Sequence, residues 1–222
     1  MKNTKNFFEA MRGTAIIIFA VVIGFFFTAC DNGNGGNTLD SGPLKLLAAR
    51  YYDGSGNMTG RSEYDYDRAG NQIGDRYYDA SNNLMSKSEY DYDGAGNQIA
   101  TRYYNGSGNL TDRAEWDYDG RGNLTAIRNY NGSGNLTSRD EYDYDGSGNC
   151  TVRRNYDGSG NLTNKLEIDY NRSGKEIAYR WYDASGLTER WEISYDRSGN
   201  CTSEKNYDSS GTLLEKIEYV WG

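Results

Sequence analysis

Residues 141–163 read EYDYDGSGNCTVRRNYDGSGNLT. Tyr-Asp-Gly-Ser-Gly-Asn occurs twice in this stretch, opening at Tyr144 and again 12 residues later at Tyr156. Each copy has the chemistry of a turn. Asp at the first position accepts a bond from the backbone two residues on. Gly at the fourth suits a type I turn closed by a left-handed residue, a common β-hairpin loop. Between the turns, residue character alternates with period two, which is the period of a half-buried strand. A helix needs a period of 3.6 and does not survive Gly at every dozen residues.

Extending the pattern outward in both directions finds the same marker at Tyr52, Tyr66, Tyr78, Tyr92, Tyr104, Tyr118, Tyr130, Tyr144, Tyr156, Tyr170, Tyr182, Tyr195 and Tyr207. The spacings alternate between 14 and 12, so the unit is 26 residues. One slip of 13 separates Tyr182 from Tyr195, where the Asn that should follow Gly186 is missing. Trp221 fills the next Tyr slot. Internal repetition of this kind marks a repeat architecture. The array covers residues 44–222: thirteen turns separate fourteen strand-like segments, about seven units. In the segment Asn109 to Tyr118 the alternation predicts Leu110, Ala114, Trp116 and Tyr118 on one face, and Asn109, Thr111, Arg113, Glu115 and Asp117 on the other.

Charge repeats with the turns. Glu63, Glu89, Glu115, Glu141, Glu167, Glu192 and Glu218 share one slot, and a Lys or Arg stands two residues before each. In the shorter segments a cation, Arg50 through Lys205, lies two before Tyr. Stacked strands turn these into rows of opposite charge, each exposed pair contributing ~0.2–1 kcal/mol, so their main effect is on register and solubility. The core is thin: all six Phe lie in residues 7–27, leaving Tyr and Trp as the aromatics of the array. The expected fold is therefore all-β, an antiparallel hairpin meander whose sheet is elongated and open, or curls and spirals. Fourteen strands at ~4.8 Å reach on the order of 65 Å if the sheet stays open. Leu44 to Leu47 and Tyr219 to Trp221 are the more apolar ends and the expected caps.

The chain of 222 residues carries 24 Lys+Arg, 32 Asp+Glu and no His, for a net charge of −8. Absence of His removes His-based triads and the usual zinc sites. Net negative charge argues against nucleic acid as a partner. Ahead of the array, Lys2, Lys5 and Arg12 precede the apolar run Thr14–Phe27, and Phe27-Thr28-Ala29-Cys30 follows. Residues 1–29 read as a secretory signal helix, too short for a comfortable span. The end of this segment resembles a bacterial lipobox, with Phe27 where Leu is usual, as in relaxed spirochaete boxes. The resemblance implies cleavage before Cys30, lipidation of Cys30 and anchoring in a bacterial envelope, at the outer membrane or cell surface. A plain signal peptide or an uncleaved anchor helix are the alternatives. Residues 30–43, Gly/Asn-rich and without apolar periodicity, read as a flexible tether.

The strings EYDYDGAGNQI (89–99), EYDYDGSGNCT (141–151) and YDGSGNLT (156–163) resemble the YD repeats of RHS-type proteins. That resemblance implies β-hairpin arrays that wind into a shell. The units here are shorter than is usual in that family, and the 12/14 rhythm is unusual. On this reading no toxin domain is expected after the array, and a toxin role is not carried over. YYDGSGNMTG (51–60) also resembles, more faintly, glucan-binding and MORN-like aromatic hairpins.

Asp143-Tyr-Asp145-Gly-Ser-Gly148 opens like a calcium loop, but the twelfth position, which must supply oxygen, is Arg154. No metal or other cofactor is expected. Paired carboxylates recur in every unit, whereas catalysis needs one singular constellation, so no enzyme activity is expected. Tyr64, Tyr90, Trp116 and Tyr142 form a candidate stacking row for sugars; its continuation as Ile168 and Ile193 suits packing instead. Cys150 and Cys201 occupy equivalent slots four strands apart, too far for a disulfide, and are expected to be free. Two functions remain: a lipid-anchored envelope protein presenting a tyrosine-rich surface to a glycan or protein ligand, or a structural spacer or coat without a dedicated ligand.

Overall fold

The computed structural model describes residues 44–222. The expected signal helix (1–29), the lipidation residue Cys30 and the tether (30–43) lie outside the described residues. Fourteen strands follow one another: β1 (Ala48–Tyr52), β2 (Met58–Tyr66), β3 (Gln72–Asp79), β4 (Leu84–Tyr92), β5 (Gln98–Asn105), β6 (Leu110–Tyr118), β7 (Leu124–Asn131), β8 (Leu136–Tyr144), β9 (Cys150–Asp157), β10 (Leu162–Tyr170), β11 (Glu176–Asp183), β12 (Gly186–Tyr195), β13 (Cys201–Asp208) and β14 (Leu213–Glu218). They form a single antiparallel sheet in sequence order. Among the described residues β1 does not pair with β14, so the sheet is open. Each strand packs only against the strand before it and the strand after it.

Each turn is built as its sequence dictates. At Asp119, Gly122 N donates to Asp119 O at 3.0 Å and Asp119 N to Asn123 O at 2.9 Å. Gly122 sits at φ +85°, where a Cβ would be strained. Asn82, the one non-Gly residue in that role, has φ +68°. One oxygen of the Asp119 carboxylate accepts from Arg121 N and Asn123 N, and the other from Asn123 Nδ2, at 2.8–2.9 Å. Those bonds, led by the Asn123 side chain, hold the Asp119 carboxyl below the usual carboxylate range.

Every strand from β2 onward enters through a bulge. Tyr130 pairs with Leu136 while Asn129 pairs with Ser138, leaving Thr137 as the extra residue. Its hydroxyl donates to Asn129 O at 3.1 Å, and Thr111 and Thr163 do the same to Tyr103 O and Asn155 O. The bulge corrects one sequence expectation. Leu110 was placed on the face of Ala114 and Trp116, but it pairs with Tyr104 while Asp112 pairs with Tyr103. Thr111 absorbs one residue, so Leu110 goes to the opposite face. The slip after Tyr182 shortens the turn: Gly186 pairs directly with Asp183 and Leu187 with Tyr182, and the bulge residue Thr188 is kept.

Among the described residues no second layer covers the sheet. Ala114 (8% exposed) and Thr101 (1%) are the buried apolar and polar side chains of the array. With so little apolar burial, the backbone ladder and the side-chain rows on its two faces hold the sheet.

Candidate functional site

Residues directly opposite each other on antiparallel strands share a face. The register therefore sorts the side chains into two sets, and the sets differ.

On one face the same contacts recur in unit after unit. In the hairpin β4–β5, Lys87 Nζ lies 2.6 Å from Glu89 Oε1, and Arg102 Nε lies 3.2 Å from Glu89 Oε2. Arg102 also donates both terminal nitrogens to Asp91, at 2.6 and 2.9 Å. Tyr104 donates its hydroxyl to Glu89 Oε2 at 3.0 Å, and Lys87 stands 5.5 Å from the centre of that tyrosine ring. The hairpin β10–β11 repeats the set with Lys165, Glu167, Asp169, Arg180 and Tyr182. The bond from Lys87, helped by Arg102 and Tyr104, lowers the Glu89 carboxyl to about 2; Lys165, Arg180 and Tyr182 do the same for Glu167.

The rows of opposite charge hold within each hairpin, where Glu89 pairs with Arg102. At the joint between hairpins the expectation fails: Arg102 lies directly opposite Arg113. Arg102 and Arg113 each turn back to carboxylates of their own unit, and Arg113 also covers the Tyr130 ring at 4.2 Å. A tyrosine hydroxyl spans each joint instead. Tyr92 donates to Gln72 O, Tyr118 to Gln98 O and Tyr144 to Leu124 O, at 2.8–2.9 Å. Trp221 Nε1 does the same to Cys201 O at 2.6 Å.

On the other face the residues change from unit to unit. In successive hairpins one equivalent pair reads Tyr64–Asp75, Tyr90–Thr101, Trp116–Ile127, Tyr142–Arg153 and Ile168–Tyr179. At each joint the register steps by two residues, so that Asp75 faces Ser88, Thr101 faces Ala114, Ile127 faces Asp140 and Arg153 faces Leu166. The neighbouring equivalent pair reads Ser62–Tyr77, Ser88–Tyr103, Ala114–Asn129, Asp140–Asn155 and Leu166–Trp181. The half toward β1 is rich in hydroxyls and rings; the half toward β14 mixes Leu166, Ile168, Trp181 and Ile193 with Asp140, Arg153, Asn155, Glu204 and Asn206.

The four candidate residues Tyr64, Tyr90, Trp116 and Tyr142 all lie on this variable face, half-buried, on β2, β4, β6 and β8. One strand intervenes between each pair and each ring is set two residues further along its strand, a separation of ~12 Å, so they form a spaced, staggered row rather than a stack. Tyr90 donates to Asp75 Oδ1 at 2.5 Å, and burial followed by that carboxylate raises its pKa. Burial raises Tyr142 to about 12, with the Arg153 guanidinium 5.8 Å from the ring centre. Tyr90 and Tyr142 also line two shallow, solvent-open clefts between successive turns, one with Asp67, Ile73 and Asp93, the other with Asp119, Thr125 and Asp145.

Sequence reasoning passed over the partners in this row, Asp75, Thr101, Ile127 and Arg153. They stand one before the periodic cation, and attention to the repeating positions hides those that vary. It noted the paired carboxylates of every unit without setting the second of them, Asp91 and its equivalents, beside the arginine that binds it. Among the described residues no group of three His, Cys, Asp or Glu is arranged to hold a metal ion. Cys150 and Cys201 are free and half-buried, and burial raises both thiols.

No family model matches the chain, and no curated protein does. Among solved structures, the chain is similar to part of a Photorhabdus luminescens Tc holotoxin pore, at 16% identity and TM-score 0.48, over 77% of this chain and 9% of that one. A TcdB2-TccC3 structure lacking its hypervariable C-terminal region matches at 15% identity and TM-score 0.43, over 72% of this chain and 10% of that one. A porin-like protein from Bacteroides uniformis matches at 11% identity and TM-score 0.30, covering 71% of this chain and 87% of that one. The chain thus spans about a tenth of the length of the two toxin chains it matches. At these identities and scores no family membership follows.

Proposed function

We propose that this chain is a non-enzymatic envelope protein, anchored through a lipid on Cys30 at the outer membrane or cell surface, whose variable face binds a glycan. One observation carries the binding reading. The ion rows repeat from unit to unit, while the opposite face, apart from its recurring strand-end tyrosines such as Tyr92 and Tyr118, presents different pairs in successive units, with rings at Tyr64, Tyr90, Trp116 and Tyr142 flanked by Ser62, Ser88, Asp75 and Thr101. Spaced rings with polar groups between them offer a sugar both a flat apolar surface and hydrogen-bond partners. The anchor reading rests on the lipobox resemblance, and the YD-repeat resemblance agrees with a non-enzymatic surface. The non-enzymatic reading is supported by carboxylates that recur in every unit, each engaged with a cation or its own turn.

The test is a glycan array probed with the intact chain and with Trp116→Ala. Binding weakened about tenfold or more by the substitution, with the sheet retained by circular dichroism, supports the reading. No glycan retained above background counts against it. Pull-down of a protein that Trp116→Ala abolishes would reassign the ligand class. Silence in both assays would favour the spacer or coat, a reading that the neighbour-only construction of the sheet also serves.

A further inference from the structure

The two edges of the sheet are complementary halves of one repeat unit. Inside the array a longer strand always pairs with the shorter strand that follows it, placing Glu63 opposite Arg76, Arg61 opposite Tyr78 and Tyr64 opposite Asp75; five more hairpins keep this register. β14 is a strand of the longer type whose outer edge has no partner among the described residues. β1 is a strand of the shorter type whose outer edge is likewise unpaired.

We propose that β14 of one molecule pairs with β1 of a second copy of this chain, completing a hairpin in trans. The internal register, applied to this pair, sets Glu218 opposite Arg50, Lys216 opposite Tyr52, Ile217 opposite Tyr51 and Tyr219 opposite Ala49. The cross-strand ion pair formed in four of the six internal hairpins and the cation–ring contact formed in all six are thereby reproduced. Glu215 falls opposite Asp53, and the array already tolerates that combination at Glu189 and Asp208.

A second observation points the same way. Val220 (97% exposed) and Trp221 (59%) stand at one edge, and Leu46 (59%) and Tyr52 (58%) at the other. The same register brings Val220 opposite Ala48 and Trp221 opposite Leu46, so the joint covers these side chains. An unpaired strand edge is a ready template for another strand. A joint between different surfaces at the two ends of the molecule is heterologous, so each added copy leaves a free edge and the assembly grows in multiples until its rotation closes a ring or without end.

The experiment uses the full chain in detergent micelles, with mass distribution followed by analytical ultracentrifugation over a range of concentrations. The parent chain is expected to form a ladder of multiples. Arg50→Glu and Glu218→Arg, each alone, are expected to weaken association by about tenfold or more, because like charges then meet at the joint. The two variants mixed, or both substitutions in one chain, restore opposite charges and the ladder. That rescue separates loss of the joint from loss of folding. A parent chain that stays monomeric throughout, or a ladder that neither single variant alters, overturns the proposal. So does failure of the mixture to reassemble when both variants retain their sheet.

Discussion

The two faces of this sheet carry the same backbone and obey different rules. One repeats: Lys87, Glu89, Asp91, Arg102 and Tyr104 recur as Lys165, Glu167, Asp169, Arg180 and Tyr182, with the same contacts. The other puts Tyr90 with Thr101 in one unit and Ile168 with Tyr179 three units on. The difference teaches where stability and recognition are located. A single-layer sheet without a second face to pack on must take side-chain stabilisation from cross-strand rows. Positions in such a row are constrained by the neighbours on both sides, which favours repetition. The variable face also contributes, through the buried pair Thr101 and Ala114, the Tyr90–Asp75 bond and the Tyr118 bond across the joint, but its central contacts differ from unit to unit.

Acid is the broadest way to break the repeating face. The Glu89 and Glu167 carboxyls are lowered to about 2, and the turn aspartates, Asp119 among them, are lowered as well. A carboxyl depressed by folding contributes stability that is present above the unfolded value near 4, and that stability is lost as pH falls toward the folded value. Circular dichroism is therefore expected to show the sheet weakening between about pH 4 and pH 2. A β spectrum and thermal midpoint unchanged at pH 2 would show that the ion rows do not hold the array.

A single deletion sharpens the contrast. Arg128→Ala leaves Glu115 and Asp117 side by side without the cation that bridges them. The expected loss is about 1–2 kcal/mol, limited by the partial exposure of the group. Ile127→Thr, the neighbouring position on the variable face, keeps a β-branched residue already accepted at Thr101 and is expected to cost less than about 1 kcal/mol. Urea unfolding of both variants measures this, and equal losses would erase the distinction between the faces.

Tyr90→Phe is a smaller change, made on the variable face. It removes the hydroxyl bond to Asp75 while keeping the ring, for an expected ~0.5–1.5 kcal/mol. Tyr142 keeps its hydroxyl protonated to about 12, so ultraviolet titration should find it among the last tyrosines to ionise below that pH. Its titration near 10 would mean that this face is wetter than the structure has it.

The smallest effect is covalent rather than energetic. Cys150 and Cys201 are free, and burial raises both thiols. They should label slowly in the native sheet and fully in denaturant without reductant. A count of two labels agrees with Cys30 being blocked by lipid, and a count of three shows Cys30 free. No label at the other two cysteines would require a disulfide that the strand order does not permit.

The turn residues were enough to determine the array. Asp, Gly and Asn at fixed offsets specify a hairpin loop through local bonds and one left-handed backbone position, and period-two alternation specifies the strands between them. These are short-range effects, visible in any single unit. The tertiary structure decided what depends on register. The bulge at Thr111 sent Leu110 to the other face, the joint set Arg102 against Arg113, and Tyr118 reached back 20 residues to a carbonyl. It also left the sheet open and set a half-unit at each edge. Register is a relation between strands, and a one-residue shift reverses every side chain beyond it. No strand carries that information in its own sequence.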